Sequence, residues 1–143
     1  MEQAIHFYNQ QGEKIAGTLH LPKRPAGYGV VFGHCFTCSR NTRIIRQICS
    51  ELAEKDFLAL RFDFSGNGQS EGEFSSSNYS KQITEMQIAA DVIAKKGARW
   101  IGLAGHSMGA VVAVLTAART RTVKAVCALA GRLSGLNATA STD

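Results

Sequence analysis

Apolar runs that alternate with amphipathic segments constrain the fold of this chain most. Val30 to Phe32 form a continuous apolar run, as in a strand buried on both faces of a sheet. Residues 57–64 are predicted to form another buried strand, and residues 99–104 a third strand. Helical spacing of apolar residues follows each of these strands, in residues 41–56, 80–96 and 107–119, with Asn41 as the candidate N-cap of the first helix. A last strand, "VKAVCALA", covers residues 123–130. The order β-α-β-α-β-α-β predicts a parallel sheet with helices on both faces.

The N-terminal segment has a different pattern. "AIHFYN" and "EKIAGTLHL" alternate apolar and polar residues around a "QQG" turn, which predicts an antiparallel hairpin over residues 4–21. We therefore predict an α/β, three-layer sandwich with a mostly parallel sheet and this hairpin at one edge. The 143 residues fit one domain, 1–143. Its small, polar end, residues 132–143, is expected to be either a flexible tail or an added packed segment.

Composition excludes several classes of protein. Apolar residues make up 45% and charged residues 19% of the chain, which is typical of a globular protein. No apolar run approaches the length of a membrane span, and no secretory signal begins the sequence, so we expect a cytoplasmic protein with no membrane partner. The net charge of +5 is scattered, so we expect no nucleic-acid partner. No glycine-rich nucleotide fingerprint opens a first βα unit, so no cofactor is expected.

The pattern Gly-x-Ser-x-Gly carries the chemistry. "GHSMG", residues 105–109, falls between a predicted strand and a predicted helix, which is the context of a nucleophile elbow. Ser107 is the candidate nucleophile, at the positive end of a helix dipole. The backbone N–H of Met108 is a candidate oxyanion donor, and His106, the variable residue of the elbow, is grouped with the binding residues.

The segment "GHCFTCSR" follows the first buried strand and is expected to supply the second oxyanion donor. We assign that role to the backbone N–H of Phe36, with Cys35 in the same loop and His34 bracing it. The segment "DFSGNGQSEG" is predicted to form a tight turn on the same rim. Asp63 is expected to stabilise that turn rather than to take part in catalysis.

The same loop also contains a Cys-x-x-Cys pair, Cys35 and Cys38, which leaves a dithiol redox site as an alternative. The nearest helix is expected to begin near Thr42, several residues away, whereas a reactive pair gains from a helix N-terminus. Zinc would need two more ligands, and Cys49 and Cys127 are predicted to be core residues, so no metal site is expected. In a reducing compartment the four cysteines would be mostly reduced.

Taken with their order along the chain, three segments resemble the α/β-hydrolase superfamily. They are "VFGHCFTCSRN", "LRFDFSGNGQSEGEF" and "LAGHSMGA", and the resemblance extends from residue 4 to about residue 131. They are most similar to the branch in which a hydrolase domain is fused to an OsmC-like domain, where Cys35 also has its counterpart. The resemblance implies the strand order 1-2-4-3-5-6, and a chain truncated after the sixth strand that lacks the last two.

The resemblance also implies a Ser-Asp/Glu-His triad whose acid and histidine follow the serine. Here only Asp143 is a carboxylate beyond Ser107, and all four histidines lie at or before residue 106. Removing the base of a serine protease costs on the order of 10⁶ in turnover, so we expect impaired or absent hydrolysis. A partner could donate the histidine, or His34 could substitute for it.

Three functions remain open at this point. The first is an esterase-like acyl hydrolase acting on a small ester or acyl-type ligand. The second is a non-catalytic ligand-binding or interaction module that forms a homodimer or larger homo-oligomer through residues 123–129 or the uncovered sheet face, because apolar edge strands invite pairing. The third is a thiol redox protein using Cys35 and Cys38.

Overall fold

The N-terminal hairpin forms as its alternating pattern predicts. In the computed structural model, which describes residues 1–130, strand β1 (Glu2–Tyr8) pairs antiparallel with β2 (Lys14–His20). The turn between them uses Gly12 at a φ of +75°, a conformation that a residue with a Cβ rarely adopts. The tail predicted over residues 132–143 lies outside the described residues.

Four further strands complete a six-stranded mixed sheet. They are β3 (Tyr28–Gly33), β4 (Phe57–Phe62), β5 (Trp100–His106) and β6 (Val123–Leu129). The order is β1-β2-β4-β3-β5-β6, with β2 antiparallel to β4 and the last four strands mutually parallel. The predicted α/β fold and strand order are confirmed.

Three helices make the outer layers of the sandwich. Helix α1 (Arg43–Glu54) covers one face, while α2 (Tyr79–Lys95) and α3 (Met108–Ala118) cover the other. Successive residues of β3 serve opposite faces: Val31 packs in the α2–α3 core, and its two neighbours pack with the buried side chains of α1. None of these helices has both the length and the apolar character needed to cross a membrane.

Two local predictions fail for identifiable physical reasons. Thr42, not Asn41, is the N-cap of α1, because the Asn41 side-chain oxygen accepts a hydrogen bond from Arg61 Nη1 at 2.8 Å. Cys127 was expected in the core but is exposed, because β6 is the edge strand and most of its residues are exposed within the described part of the chain. Cys49 is fully buried, as expected.

Candidate active site

Ser107 occupies a sharp turn between β5 and α3. Its backbone has φ +56° and ψ −115°, a sparsely populated combination for a residue with a Cβ. Its side chain does not cap α3, although serine is a preferred capping residue. The strain therefore leaves the hydroxyl unused by the helix, which is the arrangement of a nucleophile elbow.

The turn depends on glycines that allow backbone to approach backbone. A Cβ at Gly105 would lie 2.0 Å from the Gly109 carbonyl oxygen, and a Cβ at Gly109 would lie 2.2 Å from that of Gly33. These separations are far below van der Waals contact, so the spacing Gly-x-Ser-x-Gly is a steric requirement of this turn. Gly33 ends β3, so the turn at Ser107 packs directly against the start of the loop that contains the predicted oxyanion donor, the Phe36 N–H.

Two residues with candidate oxyanion donors line the same cleft as Ser107. The N–H of Met108, the first residue of α3, has no acceptor one turn earlier in the helix. The N–H of Phe36 meets no backbone or side-chain acceptor among residues 1–130. Ser107, Met108 and Phe36 all line a cleft of about 730 Å³. The structure thus brings the three predicted residues to one cleft, and the roles of their hydroxyl and N–H groups stay predictions.

His34 is completely buried and holds the loop by both ring nitrogens. Nδ1 lies 2.7 Å from the Cys35 carbonyl oxygen, and Nε2 accepts the Phe64 N–H at 3.1 Å. Because Nε2 accepts, Nδ1 carries the proton and donates to the carbonyl. Burial lowers the pKa of His34, although the Cys35 carbonyl partly opposes this shift. A neutral, doubly bonded imidazole braces the loop and has no free nitrogen with which to serve Ser107 as a base.

None of the other three histidines hydrogen-bonds to Ser107 within the described residues. His20 accepts a hydrogen bond from Arg61 Nε at 2.9 Å, and His6 is an exposed residue of β1. His106 ends β5, with a buried Nδ1 that has no partner among the described residues. No described imidazole or carboxylate therefore hydrogen-bonds to the Ser107 hydroxyl.

Asp63 organises the turn that follows β4. Its fully buried carboxylate accepts the backbone N–H of Arg40 at 2.6 Å, the Gln69 N–H at 2.9 Å, and the Arg40 guanidinium. A Cβ at Gly68 would collide with this carboxylate, and Gly68 has a φ of +52°. Every contact of Asp63 is structural, which agrees with its expected role as the stabiliser of the turn.

The sulfur chemistry of the loop differs from the expectation of reduced thiols. Cys35 and Cys38 form a disulfide, with their Cα atoms 5.2 Å apart. A tight turn in which the Cys38 N–H donates to the Cys35 carbonyl at 3.1 Å brings the two residues within bridging distance. The sequence spacing permits this turn but does not specify the oxidation state.

Sequence reasoning missed the wall of the cleft opposite the elbow. A 3₁₀ turn, Phe74–Ser76, and the start of α2 supply it. The lining residues not identified from the sequence are Phe74, Ser77, Asn78, Tyr79, Ser80, Gln82 and Val111. The Phe36 and Phe74 rings are 5.5 Å apart at their centroids, and both side chains are exposed. The sequence signal that could have identified this wall is Phe74, an isolated aromatic residue in the polar stretch "EGEFSSSN".

The sheet order and the strand-to-helix turn at Ser107 together define an α/β-hydrolase fold. The model of the family of serine aminopeptidases, S33, matches residues 31–137. This match covers more than half of the chain, so the chain belongs to that family. No curated protein matches the sequence. The finer resemblance to the OsmC-fused branch stays a prediction.

Solved structures agree on the fold. Est1E from Butyrivibrio proteoclasticus, with ferulic acid bound, is 28% identical with a TM-score of 0.86, over 97% of this chain and 57% of that one. The α/β-hydrolase GrgF from Penicillium sp. sh18 is 20% identical with a TM-score of 0.85, covering 100% and 53% of the two chains. The esterase Pf2001 from Pyrococcus furiosus is 20% identical with a TM-score of 0.83, covering 99% and 55%. This chain thus spans little more than half the length of these structures.

Proposed function

We propose that this chain carries the nucleophile and the oxyanion site of a serine esterase or related acyl hydrolase, with Ser107 as the nucleophile. The observation that carries the proposal is the strained backbone of Ser107, whose hydroxyl is left uncapped at the N-terminus of α3. Strain of this kind is retained where the surrounding structure enforces it, and here the close backbone approach at Gly105 and Gly109 does so.

The N–H groups of Phe36 and Met108 would bind the oxyanion that forms when Ser107 attacks a carbonyl carbon. Donors that are fixed before the reaction stabilise developing charge without reorganisation, and losing one costs about 10² to 10³ in turnover. Phe36 is fixed by the disulfide ring and by His34, while Met108 is fixed by α3. Both donors therefore have rigid support on the described part of the chain.

The cleft supports a small carboxylic ester as substrate, with an aromatic acyl group. Phe36 and Phe74 offer exposed ring faces on which a flat group can pack, and the adjoining wall carries the hydroxyls of Ser77 and Ser80. The bound ferulic acid of Est1E, an aromatic acid, supports the same chemistry in a structure with a similar fold. The volume of about 730 Å³ accommodates a ligand of this size.

The general base and its acid would come from residues outside this sequence, in a longer chain or a partner. Both nitrogens of His34 are occupied, which rules it out as the substitute base. If nothing supplies the base, the same cleft binds esters or acyl ligands without turning them over. That second candidate is favoured by the lack of any described imidazole or carboxylate bonded to Ser107.

Covalent labelling tests the nucleophile. We expect a fluorophosphonate probe to modify Ser107 in the chain 1–143 slowly, because no base among the described residues activates the hydroxyl, with the adduct located by peptide mass spectrometry. Ser107→Ala should abolish the adduct. Ser80→Ala, which removes another serine of the same cleft, should leave it unchanged.

The labelling result separates the two candidates as well. An adduct at Ser80 or elsewhere, or equal labelling of Ser107→Ala, would sink the nucleophile assignment. Aromatic ester turnover that remains absent although Ser107 is labelled would favour the binding module. Turnover that appears only when a second segment with a histidine is added would establish the donated base.

A further inference from the structure

The proposed oxyanion donor lies inside a disulfide ring. Phe36 and Thr37 are the two residues enclosed between Cys35 and Cys38. Thr37 has a φ of +60°, which is costly for a β-branched residue and is enforced here within the ring. Opening the ring would remove the covalent constraint that keeps Thr37 in this conformation and Phe36 next to it.

The chain on either side of the ring is firmly anchored. His34 bonds to the Cys35 carbonyl and the Phe64 N–H, and the Arg40 N–H bonds to buried Asp63. Between these anchors Phe36 has an exposed side chain and Thr37 is exposed too. A change at the disulfide is therefore confined to the short segment that presents the Phe36 N–H.

The two sulfur atoms differ in access. Cys35 is 9% exposed, whereas Cys38 is partly exposed, so an incoming thiolate reaches Cys38 first. Cys49 does not compete, because it is fully buried and burial raises its pKa to about 12. Cys127 is an exposed free thiol on β6, outside the disulfide loop. Disulfides inside reducing compartments are usually transient and functional, which fits a pair placed at an active-site loop.

We propose that Cys35–Cys38 is a thiol–disulfide exchange site for a small thiol, and that its oxidation state sets the position of the Phe36 N–H. A thiolate attacks Cys38 Sγ, the S–S bond breaks, and Cys35 leaves as a thiolate that takes up a proton. A second thiol then attacks the mixed disulfide, releasing Cys38. In total two thiols are oxidised to one disulfide, and the protein disulfide gains two electrons and two protons.

The catalytic consequence rests on the proposed function, since it requires Phe36 to be an oxyanion donor. In the oxidised chain the donor is held in place and the site is competent. In the reduced chain Thr37 relaxes to a negative φ, the Phe36 N–H leaves its position, and the reaction of Ser107 slows. Loss of one such donor predicts a fall of about 10²-fold.

The experiment compares the same chain before and after treatment with dithiothreitol. Alkylation and peptide mass spectrometry report the state of Cys35 and Cys38. The rate of fluorophosphonate labelling at Ser107 reports the site, and amide exchange at Phe36 reports the loop. We expect reduction to slow labelling about 10²-fold and to change Phe36 exchange, with both restored by glutathione disulfide.

Two cysteine variants test whether the response to reduction comes from the Cys35–Cys38 disulfide. Cys38→Ser should behave like the reduced chain under all conditions, whereas Cys127→Ser should keep the full response. Unchanged Phe36 exchange and labelling after reduction, or free thiols at both positions after treatment with glutathione disulfide, would overturn the proposal. If Ser107 is never labelled but Phe36 exchange still follows the disulfide, the proposed function fails and the exchange site stands.

Discussion

At the scale of single residues, the site depends on glycines, because the absence of a Cβ lets backbone segments approach closely. Gly105 and Gly109 let the ends of β3 and β5 and the start of α3 meet at separations that no Cβ at either glycine would allow. This close approach places the Ser107 turn against the first residues of the Phe36 loop. Ser107, Met108 and Phe36, which come from distant parts of the sequence, thereby line one cleft.

Gly109→Ala tests this steric requirement. The new Cβ would meet carbonyl oxygens of Gly33 and His34 at 2.2 and 2.6 Å, so we expect a loss of about 3 kcal/mol in the free energy of unfolding. Urea unfolding measures it. Gly12→Ala is the control, because Gly12 has an unfavourable φ but no neighbour within 4 Å, and it should cost about 1 kcal/mol. If both variants lost the same free energy of unfolding, the structure around Gly109 would have to accommodate a Cβ, which would contradict the steric requirement.

His34 makes stability depend on pH. Burial lowers its pKa in the folded chain, so between that value and the ordinary value of 6.5 the unfolded chain binds more protons. The free energy of unfolding therefore falls as the pH is lowered from about 7.5 to about 5.5. His20, whose pKa is also lowered by burial, contributes in the same direction.

Urea midpoints across this pH range check the prediction. His34→Gln should remove the His34 part of the decline and leave that of His20, and His20→Gln should do the converse. A His34→Gln chain that loses stability with pH as steeply as the unmodified chain would contradict the buried, neutral state assigned to His34.

Some residue roles could be predicted from the sequence and others could not. Ser107 stands out because the elbow needs small neighbours at fixed spacing, which a linear motif records. The Cys35–Cys38 bond does not, because the same spacing serves free thiols, metal ligands and disulfides. Cys127 was misplaced because an apolar strand looks the same in a sheet centre and at an edge.

At the scale of elements, the turn after β4 is held by a buried ion pair. Asp63→Asn would leave the Arg40 guanidinium without its charge partner, and breaking such pairs costs about 3 kcal/mol. Chemical unfolding should show this loss. Gln69→Ala is the milder comparison, because it removes the Arg40 Nη2 bond to Gln69 but keeps the pair. A stable Asp63→Asn chain with impaired labelling of Ser107 would instead indicate a direct role at the site.

The long elements follow from sequence periodicity, whereas the cleft wall does not. Strands β3 to β5 are runs of apolar residues, and their helices repeat apolar residues at helical spacing, so order and type were predictable. The Phe74–Ser76 turn lacks any such period, and its place beside Phe36 arises from contacts between distant segments. Boundaries shifted where side chains had better partners, as at Asn41.

At the scale of the whole molecule, the described residues leave apolar surface uncovered beside the edge strand β6. Helix α1 packs near β4, while on its side of β5 and β6 an apolar cleft of about 200 Å³ remains. Val126 and Leu129 of the edge strand line this cleft together with Phe32 and Ile48. Apolar surface next to an open strand edge favours association between chains.

We expect chain 1–143 to associate with a second copy through β6, because within residues 1–130 the outer backbone groups of β6 are unpaired and apolar side chains lie beside them. A lysine in an edge strand opposes such pairing, so Val126→Lys should shift the chain towards monomer in sizing with light scattering. Ile44→Lys is the matched control: Ile44 on α1 is 44% exposed and Val126 is 42% exposed, so the two changes alter charge and apolar exposure equally. A monomeric unmodified chain would contradict the predicted association. Equal dissociation by both variants would show that the contact is not specific to β6.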